Sequence, residues 1–269
     1  MSTESDSTTD ATAESPETIA LRTEALTKAF GELYANEDVS LAIPEGELRA
    51  IIGPNGAGKT TFFNQVMGVL EPTSGSVELY GEDITGLPEH RRAHVGMARS
   101  FQSNQLFTDA TVLENVRIVV QTAEAGEFSL DLLGRGQSVG RRRAVSLLRR
   151  LGLDHVAETK AKNLSHGDQR LLGMAMALAT DPDVLLLDEP TSGMSPSATT
   201  ETAELIRNVH EEFDLTMLLI EHDMDVVLSI SDRVTVLNRG EELATGTPAE
   251  IQANQAVQDA YLGGVREEL

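Results

Sequence analysis

The sequence contains no cysteine and no tryptophan. The missing thiols exclude a disulfide framework, a thiolate metal site and cysteine redox chemistry. Lysine is nearly absent as well: among 21 basic residues only Lys28, Lys59, Lys160 and Lys162 are lysines, and the rest are arginines. No hydrophobic run approaches the roughly 20 residues needed to cross a bilayer. The nearest, Leu171 to Thr180, is ended by Asp181, Pro182 and Asp183. The N-terminal STESDSTTDATAESPET lacks the basic and apolar regions of a secretion signal. Its Ser, Thr, Asp and Glu content is that of a solvated tail. Residues 1–18 are therefore expected to be a disordered acidic tail, with structure beginning near Ile19 and the chain remaining in the cytoplasm.

What remains is ample for a packed core, since 40% of the 269 residues are hydrophobic. That size suits one large domain, or a domain carrying an inserted subdomain. Asp and Glu number 43, giving a formal net charge of −22. Duplex nucleic acid is thus a poor partner, because every phosphate contact would have to overcome that field. The carboxylate excess and the scarcity of lysine resemble proteins of salt-loving microbes. Screening lengths of roughly 3 Å at molar salt make such carboxylate crowding tolerable.

From Ile19 onward short apolar runs read as strands, and LRAIIGPNGAGKTTFFNQVMGVL reads as strand, glycine loop and helix in succession. SGSVELYGEDI reads as a further strand and turn. Between Thr111 and about Ala161 the period becomes helical, with Leu147, Leu148 and Leu151 at helical spacing. The pattern then returns to alternation: VLLLDEP, a helix near Ser197 to Phe213, LTMLLIEHD, a helix, and RVTVLNRGEELATG as a closing hairpin. Strand and helix alternate as a parallel sheet requires. The continuous apolar strands VLLL and TMLLI suit burial beneath helices on both faces.

The residues Gly53, Pro54, Asn55, Gly56, Ala57, Gly58, Lys59 and Thr60 fit the pattern Gly, four residues, Gly-Lys-Ser/Thr, in the strand-to-helix context that gives it meaning. Glycines let successive backbone N–H groups turn inward around phosphate oxygens, and the positive end of the following helix points to the same place. Lys59 is expected to bind the β and γ phosphates and the Thr60 hydroxyl to ligate Mg²⁺, with Thr61 completing the cradle. Asp188 and Glu189 follow four apolar residues at a second strand end, which is where a nucleotide site needs carboxylates. Asp188 suits the metal, and Glu189 suits the polarisation of an attacking water. Taken alone, Asp-Glu-Pro is only a polar strand exit.

With these motifs in place the chain resembles the ATPase subunits of ABC transporters, from about Leu21 to Gly263. Further elements fall in that family's order. NLSHGDQR stands where the family has its Leu-Ser-Gly-Gly-Gln signature, and the resemblance implies that Ser165 and Gly167 meet the γ-phosphate held by a partner protomer. Gln102 in ARSFQ matches the glutamine that senses Mg²⁺ and the attacking water, His222 the switch histidine, and Phe30 the aromatic that stacks on adenine. Read locally, these are an N-cap serine with a turn glycine, a surface glutamine, a structural histidine and a core phenylalanine. Departures are His166 and Asp168 in the signature, Met176 in the helix after it, and Ser195 where many members carry an aspartate.

The implied fold is an α/β P-loop NTPase (RecA-like) core with an antiparallel β subdomain and an inserted helical subdomain. Residues 19–263 form the ATPase domain: 19–102 and 181–250 make the nucleotide-binding core with its β subdomain, 103–180 the helical subdomain, and 251–269 a C-terminal helix and tail. The implied cofactors are ATP and Mg²⁺. The implied partners are a second ATPase chain, identical or a sister subunit, two transmembrane permeases, and indirectly an extracytoplasmic solute-binding protein. The expected location is the cytoplasmic face of the membrane. FGELYANEDVSL, MARSFQSNQLFTDATVLENV, SGMSP, IEHDMDVV and AYLGG are similar to the ATPases of branched-chain amino acid importers. Two other readings remain open here: a P-loop kinase of small molecules, which would need neither signature nor His222, and a soluble ABC ATPase acting on DNA or ribosomes.

Overall fold

The computed structural model describes residues 17–100, 106–125 and 136–264. The tail proper and Gln102 lie outside the described residues. The chain opens with a hairpin, β1 (Ile19–Phe30) and β2 (Leu33–Pro44), followed by β3 (Leu48–Ile52) and helix α1 (Lys59–Val66). β4 (Ser74–Leu79), β5 (Glu82–Asp83), a short α2 (Glu89–Arg92) and β6 (Met97–Arg99) lead to two longer helices, α3 (Val112–Ala125) and α4 (Gly136–Arg150). Next come α5 (His166–Leu178), β7 (Val184–Asp188), α6 (Pro196–Phe213), β8 (Thr216–Ile220) and α7 (Met224–Ile230). The hairpin β9 (Arg233–Asn238) and β10 (Glu241–Gly246) precedes α8 (Pro248–Ala253) and α9 (Gln255–Gly264).

Two sheets result. An antiparallel sheet runs in the order β2-β1-β4-β5, and a second in the order β10-β9-β3-β8-β7-β6. In the second sheet β6, β7, β8, β3 and β9 are parallel to their neighbours, while β10 closes the edge antiparallel to β9. Parallel strands share one direction, so the loops that leave β3, β6, β7 and β8 emerge along one carboxyl edge. This is where α/β sheets place their ligands.

The apolar runs alternate between two cores. Leu185, Leu187, Met217 and Leu219 face a core shared with Val112, Val116, Leu147, Leu148, Leu172 and Ile206. Val184, Leu186, Leu218 and Ile220 face a second core with Phe62 and Phe63 of α1 and with Leu21, Leu26, Val39 and Ile43 of the antiparallel sheet. The expectation of helices over both faces is thus corrected: one face is roofed by α1 and a second sheet. Continuous apolarity reports burial on both sides and is silent on what does the covering.

Local chemistry explains several boundaries. The Thr111 hydroxyl accepts from the Glu114 N–H, and the Glu114 carboxylate accepts from the Thr111 N–H, a reciprocal cap at the start of α3. Thr247 and Glu250 form a complete capping box on α8, with Pro248 in its first turn. Helix α6 begins with Ser195 as cap and Pro196 behind it, and ends at Asp214 in the left-handed conformation.

Candidate nucleotide site

The loop leaving β3 is shaped by close backbone approach. A Cβ at Gly53 would stand 2.1 Å from the Leu237 carbonyl oxygen of β9, and Gly53 has φ 154°. At Gly58, φ 96°, a Cβ would fall 2.3 Å from the Ala35 carbonyl oxygen and 2.5 Å from Asn36 Nδ2. Only glycine fits either position. Two neighbours clasp the loop: Asn36 Nδ2 donates to the Gly58 carbonyl at 3.2 Å, and the Gly240 N–H, from the β9–β10 turn, donates to the Ala57 carbonyl at 3.1 Å. The Glu37 N–H closes the ring on the Gly240 carbonyl at 2.9 Å.

Lys59 is the first residue of α1 and is buried. Its ammonium is folded onto the loop's own carbonyls, donating to Gly53 O at 2.7 Å and Pro54 O at 3.2 Å. Burial pulls its pKa below the usual lysine value, and the charge of Glu189 opposes that shift. Asn55, Gly56 and Thr60 are exposed, while Pro54 and Thr61 are half-buried. The rim of the cradle is therefore open to solvent.

Asp188 ends β7, and its Oδ2 accepts from Arg99 Nη2 at 2.6 Å. Arg99 ends β6, the strand paired with β7, and its guanidinium also lies 5.1 Å from the Phe63 ring. Glu189 follows at φ 45°. A non-glycine residue rarely adopts that conformation, and the position ahead of Pro190 narrows its options further, so the backbone here is strained. His222, just beyond β8, places Nδ1 4.0 Å from Glu189 Oε1 and 3.8 Å from Glu221 Oε2. Asp223 caps α7 directly after it.

Ser165, Gly167 and Phe30 lie on exposed surface. Ser165 caps α5, accepting from the Asp168 N–H at 3.1 Å and donating to Asp168 Oδ2 at 2.7 Å. Asp168, which stands where the resemblance implies a glutamine, is thus engaged with Ser165. Ser165, His166 and Gly167 are all exposed, as is Ser195 at the cap of α6. Phe30 is 52% exposed at the hairpin tip, with Lys28 Nζ 5.4 Å from its ring, which sets aside the core reading. Gln102 lies outside the described residues.

The carboxyl edge therefore brings together Lys59, Asp188, Glu189 and His222. Sequence reasoning missed Arg99, Asn36, Thr191 and Glu221. Glu221 alone carried a signal, as a carboxylate directly after an apolar strand, the same pattern that drew attention to Asp188. For a divalent cation, the Thr60 hydroxyl and the Asp188 carboxylate are hard oxygen donors of the kind Mg²⁺ prefers. Among the described residues no cluster of three or more His, Cys, Asp or Glu could hold a metal alone. The donor set fits an ion that keeps waters and takes its remaining ligands from phosphate.

Comparison with known proteins bears on this arrangement. The family described as ABC transporter matches residues 36–192, more than half of the chain, and that described as branched-chain amino acid ATP-binding cassette transporter matches residues 241–267. The high-affinity branched-chain amino acid transport ATP-binding protein LivG of Salmonella typhimurium is 44% identical over 239 residues, covering 87% of this chain and 94% of that protein. BraF of Pseudomonas aeruginosa, of the same description, is 41% identical over 249 residues, covering 90% of this chain and 97% of its own. Among solved structures, the ADP conformation of MJ1267, an ATP-binding cassette of an ABC transporter, superposes with a TM-score of 0.79 at 30% identity, covering 91% of this chain and 99% of that one. A dimeric post-hydrolysis state of the cassette MJ0796, bound to ADP and Pi, gives 0.67 at 28% identity, over 85% and 98%. Neither the kinase nor the soluble-ATPase reading is favoured by these relatives.

Proposed function

The chain belongs to the ABC transporter family as an ATP-binding subunit that hydrolyses ATP to power transport, and from that premise we propose that it drives an importer of branched-chain amino acids. The substrate class follows from the relatives' own descriptions and from the match at residues 241–267. Substrate choice itself belongs to other subunits, two permeases and an extracytoplasmic binding protein. Among the described residues no helix is long and apolar enough to cross a membrane, which suits a peripheral subunit docked on permeases at the cytoplasmic face.

The observation that carries the catalytic assignment is the meeting of Lys59, Asp188, Glu189 and His222 along one sheet edge, with His222 Nδ1 4.0 Å from Glu189 Oε1. Gly53 to Thr61 cradle the phosphates, and Lys59 leaves the Gly53 and Pro54 carbonyls to reach the β and γ oxygens. Phe30 offers an exposed ring to adenine. Thr60, Asp188 and Gln102 would hold Mg²⁺, which, when bound, would neutralise charge on the β and γ phosphates. Glu189 accepts the proton of the attacking water in line with the γ-phosphate, and His222 holds that phosphate's outer oxygen. Ser165 and Gly167, exposed at the N-terminus of α5, complete the site of a second chain, identical or a sister subunit. Nucleotide then joins two chains, and loss of the γ-phosphate parts them.

The division into a core of 19–102 and 181–250, a helical part at 103–180 and a C-terminal part at 251–269 accords with this cycle, since the segment at 103–180 carries the signature. Asp168, His166, Met176 and Ser195 point to slow but real turnover. A protein of net charge −22 also suits a salt-rich cytoplasm. The catalytic assignment is tested by phosphate release from MgATP. Glu189→Gln is expected to lower kcat by about 10²–10⁴-fold while retaining nucleotide, and Lys59→Ala to lose nucleotide binding. Full activity in either variant overturns the assignment.

A further inference from the structure

Glu221 is a fully buried carboxylate that the mechanism above leaves unused. It is the first residue past β8, and its N–H donates to the Ile51 carbonyl at 3.4 Å, which keeps it in register with the strand that launches the phosphate loop. Its two oxygens serve two different loops. Oε1 accepts from the Thr191 N–H at 2.9 Å and from the Thr191 hydroxyl. Oε2 accepts from the His222 N–H at 3.0 Å and, at the limit of hydrogen bonding, from the Asp223 N–H at 3.5 Å. Thr191 stands two residues beyond Glu189, on the segment that runs to Ser195 at the cap of α6.

We infer that Glu221 is a positioning residue that couples the loop carrying Glu189 to the loop carrying His222, so that the water-activating carboxylate and the phosphate-sensing histidine move as one unit. A buried carboxylate oxygen that loses its donors carries the whole cost of its desolvation, so neither loop can shift independently without leaving one oxygen unsatisfied. The link also supports the unfavourable backbone of Glu189, because Thr191 anchors the far side of Pro190. Displacement of the exposed Ser195 segment by a second chain would therefore reach His222 through Thr191 and Glu221.

The inference rests on the roles given above to Glu189 and His222, and its test keeps the two separable. Glu221→Gln preserves shape but presents an amide to donors that need an acceptor, and Thr191→Val removes the hydroxyl while leaving the backbone N–H. Steady-state MgATP hydrolysis is measured on the full chain for each single variant and for the double. Each single variant is expected to lower kcat by about tenfold with KM for ATP within about twofold of the parent, and the double to be no slower than the slower single. Thermal melting that falls while kcat stays within about twofold, a rise in KM alone, or losses that multiply in the double variant would overturn it. Should Glu221→Gln not fold, Thr191→Val alone decides by the same split. A parent chain without MgATPase activity, or a fully active Glu189→Gln, would instead count against the underlying assignment.

Discussion

Arg99 Nη2 lies 2.6 Å from Asp188 Oδ2, so the carboxylate assigned to the metal is held by a guanidinium from the neighbouring strand. The positive charge of Arg99 stands in for a cation at Asp188. Arg99→Ala removes a charged donor from a largely buried carboxylate, and is expected to destabilise the nucleotide-free protein by about 1–2 kcal/mol. With MgATP present the loss is expected to shrink, and the Mg²⁺ concentration for half-maximal ATPase activity to fall, because the ion no longer competes with the arginine. Urea midpoints with and without MgATP, and a Mg²⁺ titration of activity, check this.

Lys59 gives a pH dependence of defined sign. Burial holds its folded-state pKa below 10.5. Between that lowered value and 10.5 the unfolded chain binds more protons, so stability without nucleotide should rise with pH across the window and be unaffected by this group below it. Phosphate oxygens favour the ammonium form, so nucleotide binding in the same window should take up a proton and weaken as pH climbs. Calorimetry at alkaline pH below 10.5, in two buffers of different protonation enthalpy, measures the uptake.

Gly58 has no room for a side chain, since a Cβ would fall 2.3 Å from the Ala35 carbonyl oxygen. Gly58→Ala combines that clash with a left-handed backbone, and a loss of about 2–4 kcal/mol is expected, together with weaker nucleotide binding. Chemical denaturation and a fluorescent nucleotide titration read the two effects separately.

The charge of −22 predicts a salt requirement. Repulsion among surface carboxylates is relieved as the screening length contracts, so the thermal midpoint should rise between about 0.1 M and about 2 M KCl. An unchanged midpoint in a pair of melts would remove the argument from composition.

Much of this site is legible in the sequence because its parts are local. The spacing of Gly53, Gly58, Lys59 and Thr60 is itself the geometry of the cradle, and the apolar run before Asp188 announces a strand end. Arg99 and Asp188, by contrast, are 89 positions apart and meet only because β6 lies beside β7 in the sheet. Glu221 and Thr191, 30 positions apart, meet because β8 flanks the other side. Sheet order is fixed by long-range packing, which residue spacing does not encode. Phe30 illustrates the same limit: an aromatic between two strands reads locally as core, and its exposure depends on where the antiparallel sheet ends.

The ring joining Asn36, Gly58, Ala57 and Gly240 has a consequence for distant mutations. Its hydrogen bonds form when the two sheets come together, so the conformational entropy of shaping the anion pocket is lost during folding and is absent from the binding step. Fraying of the β1–β2 ribbon or of the β9–β10 turn would therefore surface as faster nucleotide dissociation, even where the altered side chain touches no phosphate.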